Sequence, residues 1–333
     1  MLPKDCNLIK GAAYTAEMQA ELDRIEALAP GKVDFSRPPD AEARRIDAEL
    51  SAFWNVDLPE VESVRRFNLP ADPSIGAAAC EAVVYRPASA GDGVIFFVHG
   101  GGWAFMDLHT HERFMRLLCN EARTTLIGVH YRLAPENPYP AALKDVVSAF
   151  RKVLAQRTEI GLPEGPVIIA GDSAGANLAL ATMLHEIDAR RERPVGGILF
   201  YGVFGANFET PSYRAYADAH ILTRPIMQQL WDWYLPDASR RSDPLAAPLM
   251  ASDDQLRALP PLFLVAAEID PLASDTIALK QRLDALGRDD AIWMERGAVH
   301  GFLQMTAVLE AGRRVMREAA NVTRRFIATA KQH

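Results

Sequence analysis

Cysteine, long apolar runs and excess positive charge are all scarce in this 333-residue sequence. Its three cysteines, an odd number with no Cys-x-x-Cys spacing, provide neither a disulfide framework nor a zinc ribbon and favour a reducing compartment. No stretch approaches the roughly 18 apolar residues of a membrane span, and the N-terminus has no apolar signal region. Acidic residues outnumber basic ones by 43 to 36, and the resulting net charge of -7 repels a phosphate backbone. We therefore expect a cytoplasmic protein that binds neither nucleic acid nor membrane.

Apolar residues are plentiful, at 49% of the total, and they occur in short runs that alternate with helical patterns. Residues 1–60 contain no strand pattern, so we expect an appended helical segment there. From Val61 onward strands and helices alternate, which predicts an α/β fold with a mostly parallel sheet of about eight strands and helices on both faces. Residues 204–249 interrupt this alternation with a second helical segment. We therefore predict a core of residues 61–203 and 250–333, covered by a cap built from the two helical segments.

The individual elements follow from the same patterns. The expected strands are Val61–Leu69, Cys80–Tyr85, Val94–Val98, Thr125–Val129, Val167–Ala170, Gly197–Tyr201, Leu262–Ala267 and Ala291–Glu295. The expected helices are Ala41–Trp54, Arg113–Ala122, Ala141–Ala155, Ala174–Leu184, Ser274–Leu286 and Leu303–Ala328.

The sequence Gly-Asp-Ser-Ala-Gly at residues 171–175 joins a predicted strand to a predicted helix. Gly171 and Gly175 suit such a sharp turn, because side chains at these positions would strike the strand or the helix. Ser173 is thereby lifted above the edge of the sheet. The next N–H, that of Ala174, lies at a helix N-terminus, where unpaired donors and the helix dipole favour negative charge. This pattern is typical of a nucleophile elbow.

A serine hydroxyl becomes a nucleophile only when a base takes its proton and an acid holds that base in the right tautomer. His300 stands in a loop after the last predicted strand, at the carboxyl edge of the sheet, and we expect it to be the base. Asp270 stands at the apex of the preceding strand's loop, before a proline, and is the expected acid. Glu268 and Asp275 are rivals, better suited to bracing that loop and to the start of the next helix. The other histidines weighed as the base are His99, His130, His185, His220 and His333.

Three consecutive glycines follow the predicted strand Val94–Val98, in the run His99-Gly100-Gly101-Gly102-Trp103. Glycines leave backbone N–H groups bare, so they can point into a site and stabilise an oxyanion. The run is flanked by apolar residues rather than by Ser or Lys, which argues against a flexible linker.

Together these residues resemble the hormone-sensitive-lipase family of α/β-hydrolases, in its bacterial carboxylesterase branch with a Gly-Asp-Ser-Ala-Gly elbow. The likeness extends from about Val94 to the C-terminus and includes Tyr-Arg-Leu-Ala-Pro-Glu at residues 131–136. It implies a triad of Ser173, Asp270 and His300. It also implies oxyanion donors at Gly101, Gly102 and Ala174, a helical cap, and the homodimer found in the family. This sequence departs from the family pattern at His130, Ala176 and Gly202.

The predicted function is that of a serine carboxylesterase that hydrolyses short to medium acyl esters, up to about eight carbons by resemblance, with no cofactor. An amidase, formamidase or carbamate hydrolase on the same triad is an alternative, and a ligand-binding homologue without turnover is another. We expect Arg132 and Glu136 to pin the loop beneath the elbow, with support from Asp172. Aromatic residues expected to line the substrate pocket are Trp103, Phe105, Phe204, Tyr216, Trp231 and Phe302. A metal site is disfavoured, because no known ligand spacing occurs in the cluster Asp107, His109, His111 and Glu112.

Overall fold

A computed structural model describes residues 12–28 and 33–332 of the chain, and these residues form one eight-stranded sheet. The strands are β1 Ser63–Leu69, β2 Cys80–Arg86, β3 Val94–Val98, β4 Thr125–Val129, β5 Val167–Asp172, β6 Gly196–Phe200, β7 Leu262–Ile269 and β8 Ala291–Val299. Their order across the sheet is β1-β2-β4-β3-β5-β6-β7-β8. The pairs β1·β2 and β2·β4 are antiparallel and all other neighbours are parallel. This architecture confirms the α/β-hydrolase fold expected from the sequence.

The parallel register brings the ends of the central strands together. Val98, the last residue of β3, pairs with Gly171, near the end of β5. The glycine run that follows Val98 therefore lies beside the turn that contains Ser173. Because β7 and β8 point the same way, the loops that follow them also open at this carboxyl edge.

Helices cover both faces of the sheet. They are α1 Ala16–Leu28, α2 Ala41–Ala52, α3 Glu112–Ala122, α4 Ala141–Ala155, α5 Ala174–Asp188, α6 Pro211–Ala215, α7 Arg224–Tyr234, α8 Asp253–Ala258, α9 Ala273–Ala285 and α10 Glu310–Ala330. Successive residues of β3 alternate between two apolar cores, with Phe96 facing one and Phe97 the other. The first core is completed by α4, α5 and α9, and the second by α1, α3 and α10. A strand buried on both faces must be apolar throughout, as Val94–Val98 is.

The chain after His300 differs from the sequence-based prediction of one helix from Leu303 to Ala328. A short 3-10 helix, Phe302–Met305, comes first, and α10 begins only at Glu310. Leu309 has an extended backbone, with φ -87° and ψ 120°, which separates the two helices. The buried apolar residues between Phe302 and Leu309 therefore belong to a 3-10 helix and a short connection, and not to one continuous amphipathic helix.

The two segments expected to form a cap lie in different surroundings. Residues 204–249 contain α6 and α7, as the helical pattern indicates. In the N-terminal segment, α1 packs into the core beneath the sheet through Met18 and Leu22. The following helix, α2, faces the carboxyl edge. No described helix combines the length and apolar character needed to cross a bilayer.

Candidate active site

Ser173 occupies a strained turn between β5 and α5, with φ 52° and ψ -119°. A non-glycine residue in this region is uncommon and marks a position that the surrounding structure holds in place. Here the glycines on either side make the turn possible. A Cβ at Gly171 would lie 2.5 Å from the Gly175 carbonyl oxygen, and one at Gly175 would lie 2.1 Å from that of Val98. The spacing of the two glycines is thus dictated by contacts between backbones.

The three residues of the expected triad lie in one hydrogen-bonded line. Ser173 Oγ is 3.0 Å from His300 Nε2, and His300 Nδ1 is 2.8 Å from Asp270 Oδ2. The other carboxylate oxygen of Asp270 accepts the Leu272 N–H at 2.8 Å. Asp270 is fully buried, while the serine and the histidine each keep 8% of their surface exposed. A buried carboxylate with both oxygens engaged can hold the imidazole in a single orientation.

The rival acids have other partners. Glu268 accepts the Gly297 N–H at 2.8 Å and pairs with Arg296. Asp275 accepts the N–H groups of Phe204 and Gly205 at 2.8 and 2.9 Å. Neither contacts His300 by a hydrogen bond among the described residues.

Among the other described histidines, none is bonded to Ser173. His99 lies closest in sequence to the glycine run, but burial lowers its pKa well below 6.5, and neighbouring His130 lowers it further. His185 pairs with Glu186, and the ring of His220 packs on that of Tyr14. His333 lies outside the described residues.

The glycine run forms a tight loop beside Ser173. Gly101 and Gly102 have φ values of +103° and +57°, which favour glycine, and a Cβ at Gly101 would lie 2.2 Å from the Phe105 carbonyl oxygen. No hydrogen bond joins the N–H groups of Gly101, Gly102 or Ala174 to an acceptor in the described part of the chain. These three donors are therefore available to a ligand atom near Ser173.

Asp172, next to the serine, has a different role from the one expected. Its carboxylate accepts the Gly100 N–H at 2.8 Å and lies 3.2 Å from His111 Nε2. The expected network with Arg132 and Glu136 is not found, because these two residues pair with Asp145 and Arg44 instead. Asp172 thus joins the elbow directly to the glycine loop, and His111 was not linked to it by sequence reasoning.

A cavity of about 140 Å³ lies above Ser173 and His300. Both segments expected to form a cap contribute to its wall, the first through Phe35 and Trp54 and the second chiefly through Leu222, Met227 and Leu230. Burial raises the pKa of Asp47, another wall residue, to about 7, so this carboxyl is partly neutral near that pH. Most of the side chains that line the cavity are apolar. The division of the chain into cap and core remains a prediction.

Of the six aromatic residues expected at the pocket, Phe105 lines the cavity. The remaining five are corrected by the structure. Trp103 stacks on Tyr234 in the core, and Trp231 meets both of these rings edge-on. Phe204 and Phe302 are fully buried and do not line the cavity, and Tyr216 packs in a separate apolar cluster with Ile269. Other aromatic residues, namely Phe35, Trp54 and Tyr201, take their place together with aliphatic residues, and sequence alone offered no signal to select them from the many others in the chain.

The acidic and histidine-rich stretch after the glycine loop has structural partners. Asp107 accepts the N–H groups of His109 and Thr110, and Glu112 pairs with Arg116. Across the described ranges, no group of three or more His, Cys, Asp or Glu side chains is arranged to hold a metal ion.

The family described as having the alpha/beta hydrolase fold matches residues 95–304, and the chain therefore belongs to this family. Several solved structures resemble it along nearly the whole chain. A thermostable esterase from Pseudomonas putida is 29% identical at a TM-score of 0.87, covering 95% of this chain and 98% of that one. An ester hydrolase from the metagenome of Lake Arreo is 29% identical at a TM-score of 0.86, covering 95% and 99%. A fungal esterase from Rhizomucor miehei is 27% identical at a TM-score of 0.85, covering 95% and 97%.

The family match and these esterase neighbours support assignment to the carboxylic ester hydrolases. The resemblance to the hormone-sensitive-lipase type, recognised first from the glycine run and the elbow, is confirmed.

Proposed function

We propose that this protein is a serine carboxylesterase in which Ser173, His300 and Asp270 act as the catalytic triad. The observation that carries the proposal is the continuous line from Ser173 Oγ through the imidazole to the buried Asp270 carboxylate. The free N–H groups of Gly101, Gly102 and Ala174 beside the serine support it.

In the first half of the reaction, Ser173 Oγ bonds to the ester carbonyl carbon while its proton passes to His300 Nε2. The carbonyl oxygen becomes an oxyanion and accepts hydrogen bonds from the three N–H groups; removing one such donor typically slows an enzyme by about 10² to 10³. The tetrahedral intermediate collapses, the bond to the alcohol oxygen breaks, and His300 returns its proton to that oxygen. An acyl-enzyme remains.

In the second half, a water molecule gives a proton to His300 and its oxygen bonds to the acyl carbon. The bond to Ser173 breaks and the serine recovers its proton. One ester and one water thus yield one acid and one alcohol. Asp270 keeps its charge throughout and stabilises the imidazolium.

The cavity favours small esters with apolar acyl groups. At about 140 Å³ it falls below the roughly 300–1,000 Å³ of pockets that hold drug-sized ligands. We therefore propose the short end of the acyl-chain range expected from the family resemblance.

The test is turnover of a chromogenic ester by the wild type, by Ser173→Ala and by Asp270→Asn. We expect Ser173→Ala to lose turnover while remaining folded, and Asp270→Asn to lose about 10⁴ in kcat because the histidine takes the wrong tautomer. An organophosphonate should modify Ser173 in the wild type, as seen by mass spectrometry; the Lake Arreo ester hydrolase was crystallised with a bipyridine phosphonate derivative. Undiminished turnover by folded Ser173→Ala would refute the proposal.

A matched ester and amide with the same acyl group separate the esterase from the amidase alternative. We expect the ester to be hydrolysed much faster.

A further inference from the structure

Arg44, on helix α2, connects three parts of the molecule that are distant in sequence. Its Nε donates to the Ala104 carbonyl at 3.0 Å and its Nη2 to the Ala134 carbonyl at 3.1 Å. The guanidinium also makes a bidentate pair with Glu136, at 2.9 and 2.7 Å. Helix α2 is thereby attached to the glycine loop and to the segment that follows β4.

Ala104 lies in the turn that sets the direction of the Gly101 and Gly102 N–H groups. The Gly101 carbonyl accepts hydrogen bonds from the N–H groups of Ala104 and Phe105, at 3.1 and 2.9 Å, which closes the turn. Trp103 and Met106, in the same turn, have positive φ values of 60° and 64°. Such a backbone persists only when surrounding contacts hold it in place.

An oxyanion hole depends on donors that are fixed before the reaction begins. Contacts from other parts of the fold hold the glycine loop: the Tyr131 hydroxyl donates to the His99 carbonyl at 3.0 Å, and the buried Trp103 ring stacks on that of Tyr234. Asp172 holds its first residue, through the Gly100 N–H. The Trp103 carbonyl accepts the Ala134 N–H at 2.9 Å. Arg44 donates to the carbonyls of Ala104, the residue after Trp103, and of Ala134. It therefore supports the backbone on both sides of the hydrogen bond between Ala134 and Trp103.

We propose that Arg44 is a positioning residue that fixes the glycine loop and thereby the Gly101 and Gly102 N–H donors. Helix α2 is then a functional part of the active site and not only part of the cavity wall. The proposal rests on the serine-esterase function proposed above. The ion pair with Glu136 contributes less to this role than the two carbonyl contacts, because the Glu136 side chain is 52% exposed and solvent screens the pair.

The chain supplies a matched control in the adjacent residue. Arg45 lies on the same helix, its side chain is 54% exposed, and it pairs with Glu42 and Glu49 of α2 itself. It contacts no residue of the glycine loop through any hydrogen bond in the described structure. Substitution of Arg45 therefore tests a change of charge and helix stability without a change at the loop.

The experiment compares Arg44→Met, Arg44→Lys and Arg45→Met by steady-state kinetics on a short-chain chromogenic ester. Exhaustive labelling with an organophosphonate counts the intact sites, so that kcat is expressed per reactive serine. We expect Arg44→Met to lower kcat about tenfold with KM within about twofold. The reason is that the oxyanion forms only during the reaction, so its donors do not contribute to binding of the substrate before that. Arg44→Lys should recover part of the loss, since its ammonium keeps one donor for Ala104, and Arg45→Met should match the wild type. The initial rate of phosphonylation should fall in parallel with kcat.

An unchanged kcat per labelled site in Arg44→Met would overturn the proposal, as would an equal loss in Arg45→Met. A rise in KM with kcat unchanged would also overturn it, because Arg44 would then act on substrate binding. If Arg44→Met does not fold, Arg44→Lys decides: a lowered kcat per site supports the proposal, and wild-type kcat contradicts it. Failure of the serine-esterase function is distinguishable, since the wild type itself would then show neither turnover nor labelling.

Discussion

Gly175, the second glycine of the elbow, offers a quantitative test of how tightly the site is built. An added Cβ would lie 2.1 Å from the Val98 carbonyl oxygen and 2.5 Å from that of His99. Both neighbours are backbone atoms, so neither can turn away. In Gly175→Ala, strand β3 and helix α5 must separate by about 0.9 Å to restore even the 3.0 Å below which Cβ contacts essentially never fall.

This separation moves Ser173, because the serine stands two residues before the substitution. Its Oγ is now 3.0 Å from His300 Nε2, and a displacement near 1 Å takes this hydrogen bond out of range. We expect kcat/KM to fall about 10²-fold, the typical cost of such a misplacement, and the free energy of unfolding to fall by about 1–3 kcal/mol through overpacking.

The measurements are kcat/KM on a chromogenic ester and urea unfolding, with Gly287→Ala as the control. Gly287 has φ +76° but no atom within 4 Å of its added Cβ. Its substitution should cost about 1–2 kcal/mol of stability through the left-handed backbone and leave kcat/KM unchanged. Wild-type kcat/KM in Gly175→Ala would refute the reasoning.

Two further predictions concern stability and specificity. Burial raises the pKa of Asp275 from 3.8 to about 7. The contribution of this group to the free energy of unfolding is therefore greatest below about pH 4, and it falls by about 4 kcal/mol as the pH rises from there through 7. In urea unfolding, the stability of Asp275→Asn relative to the wild type should therefore be greater at pH 8 than at pH 5. Asp254→Asn, at a 94% exposed side chain, should show no such change. An equal difference between Asp275→Asn and the wild type at the two pH values would contradict this prediction. Met227→Ala, which removes a side chain from the cavity wall, should shift the preferred acyl chain of a chromogenic ester series to greater length. Gln228→Ala on the same helix is the control, and an unchanged preference in Met227→Ala would count against the proposed acyl site.

The sequence predicted the features that depend on neighbouring residues. Val94–Val98 and Thr125–Val129 were placed at their observed bounds, because each is an apolar run between turn residues. The elbow glycines were identified from local geometry alone. The order of Ser173, Asp270 and His300 along an alternating α/β pattern then indicated the loops in which the acid and the base stand.

Contacts between distant segments could not be predicted in this way. Arg44 and Arg45 are adjacent and chemically identical, yet one reaches a carbonyl 60 residues away and the other stays on its own helix. Trp103 and Trp231 are of a residue type that is common in substrate pockets, but both are fully buried in the core. Burial and cavity lining favour the same apolar side chains, so only the packed structure separates them.

The two reacting side chains are anchored at places of unequal local stability. Ser173 follows β5, a central strand paired on both sides, whereas His300 follows β8, the outermost strand, which has β7 as its one strand neighbour within the described residues. Marginal elements open at a lower free energy than central ones. Fraying of this edge would withdraw the imidazole while the central strands stayed paired, so we expect turnover to be lost on heating at a lower temperature than global unfolding.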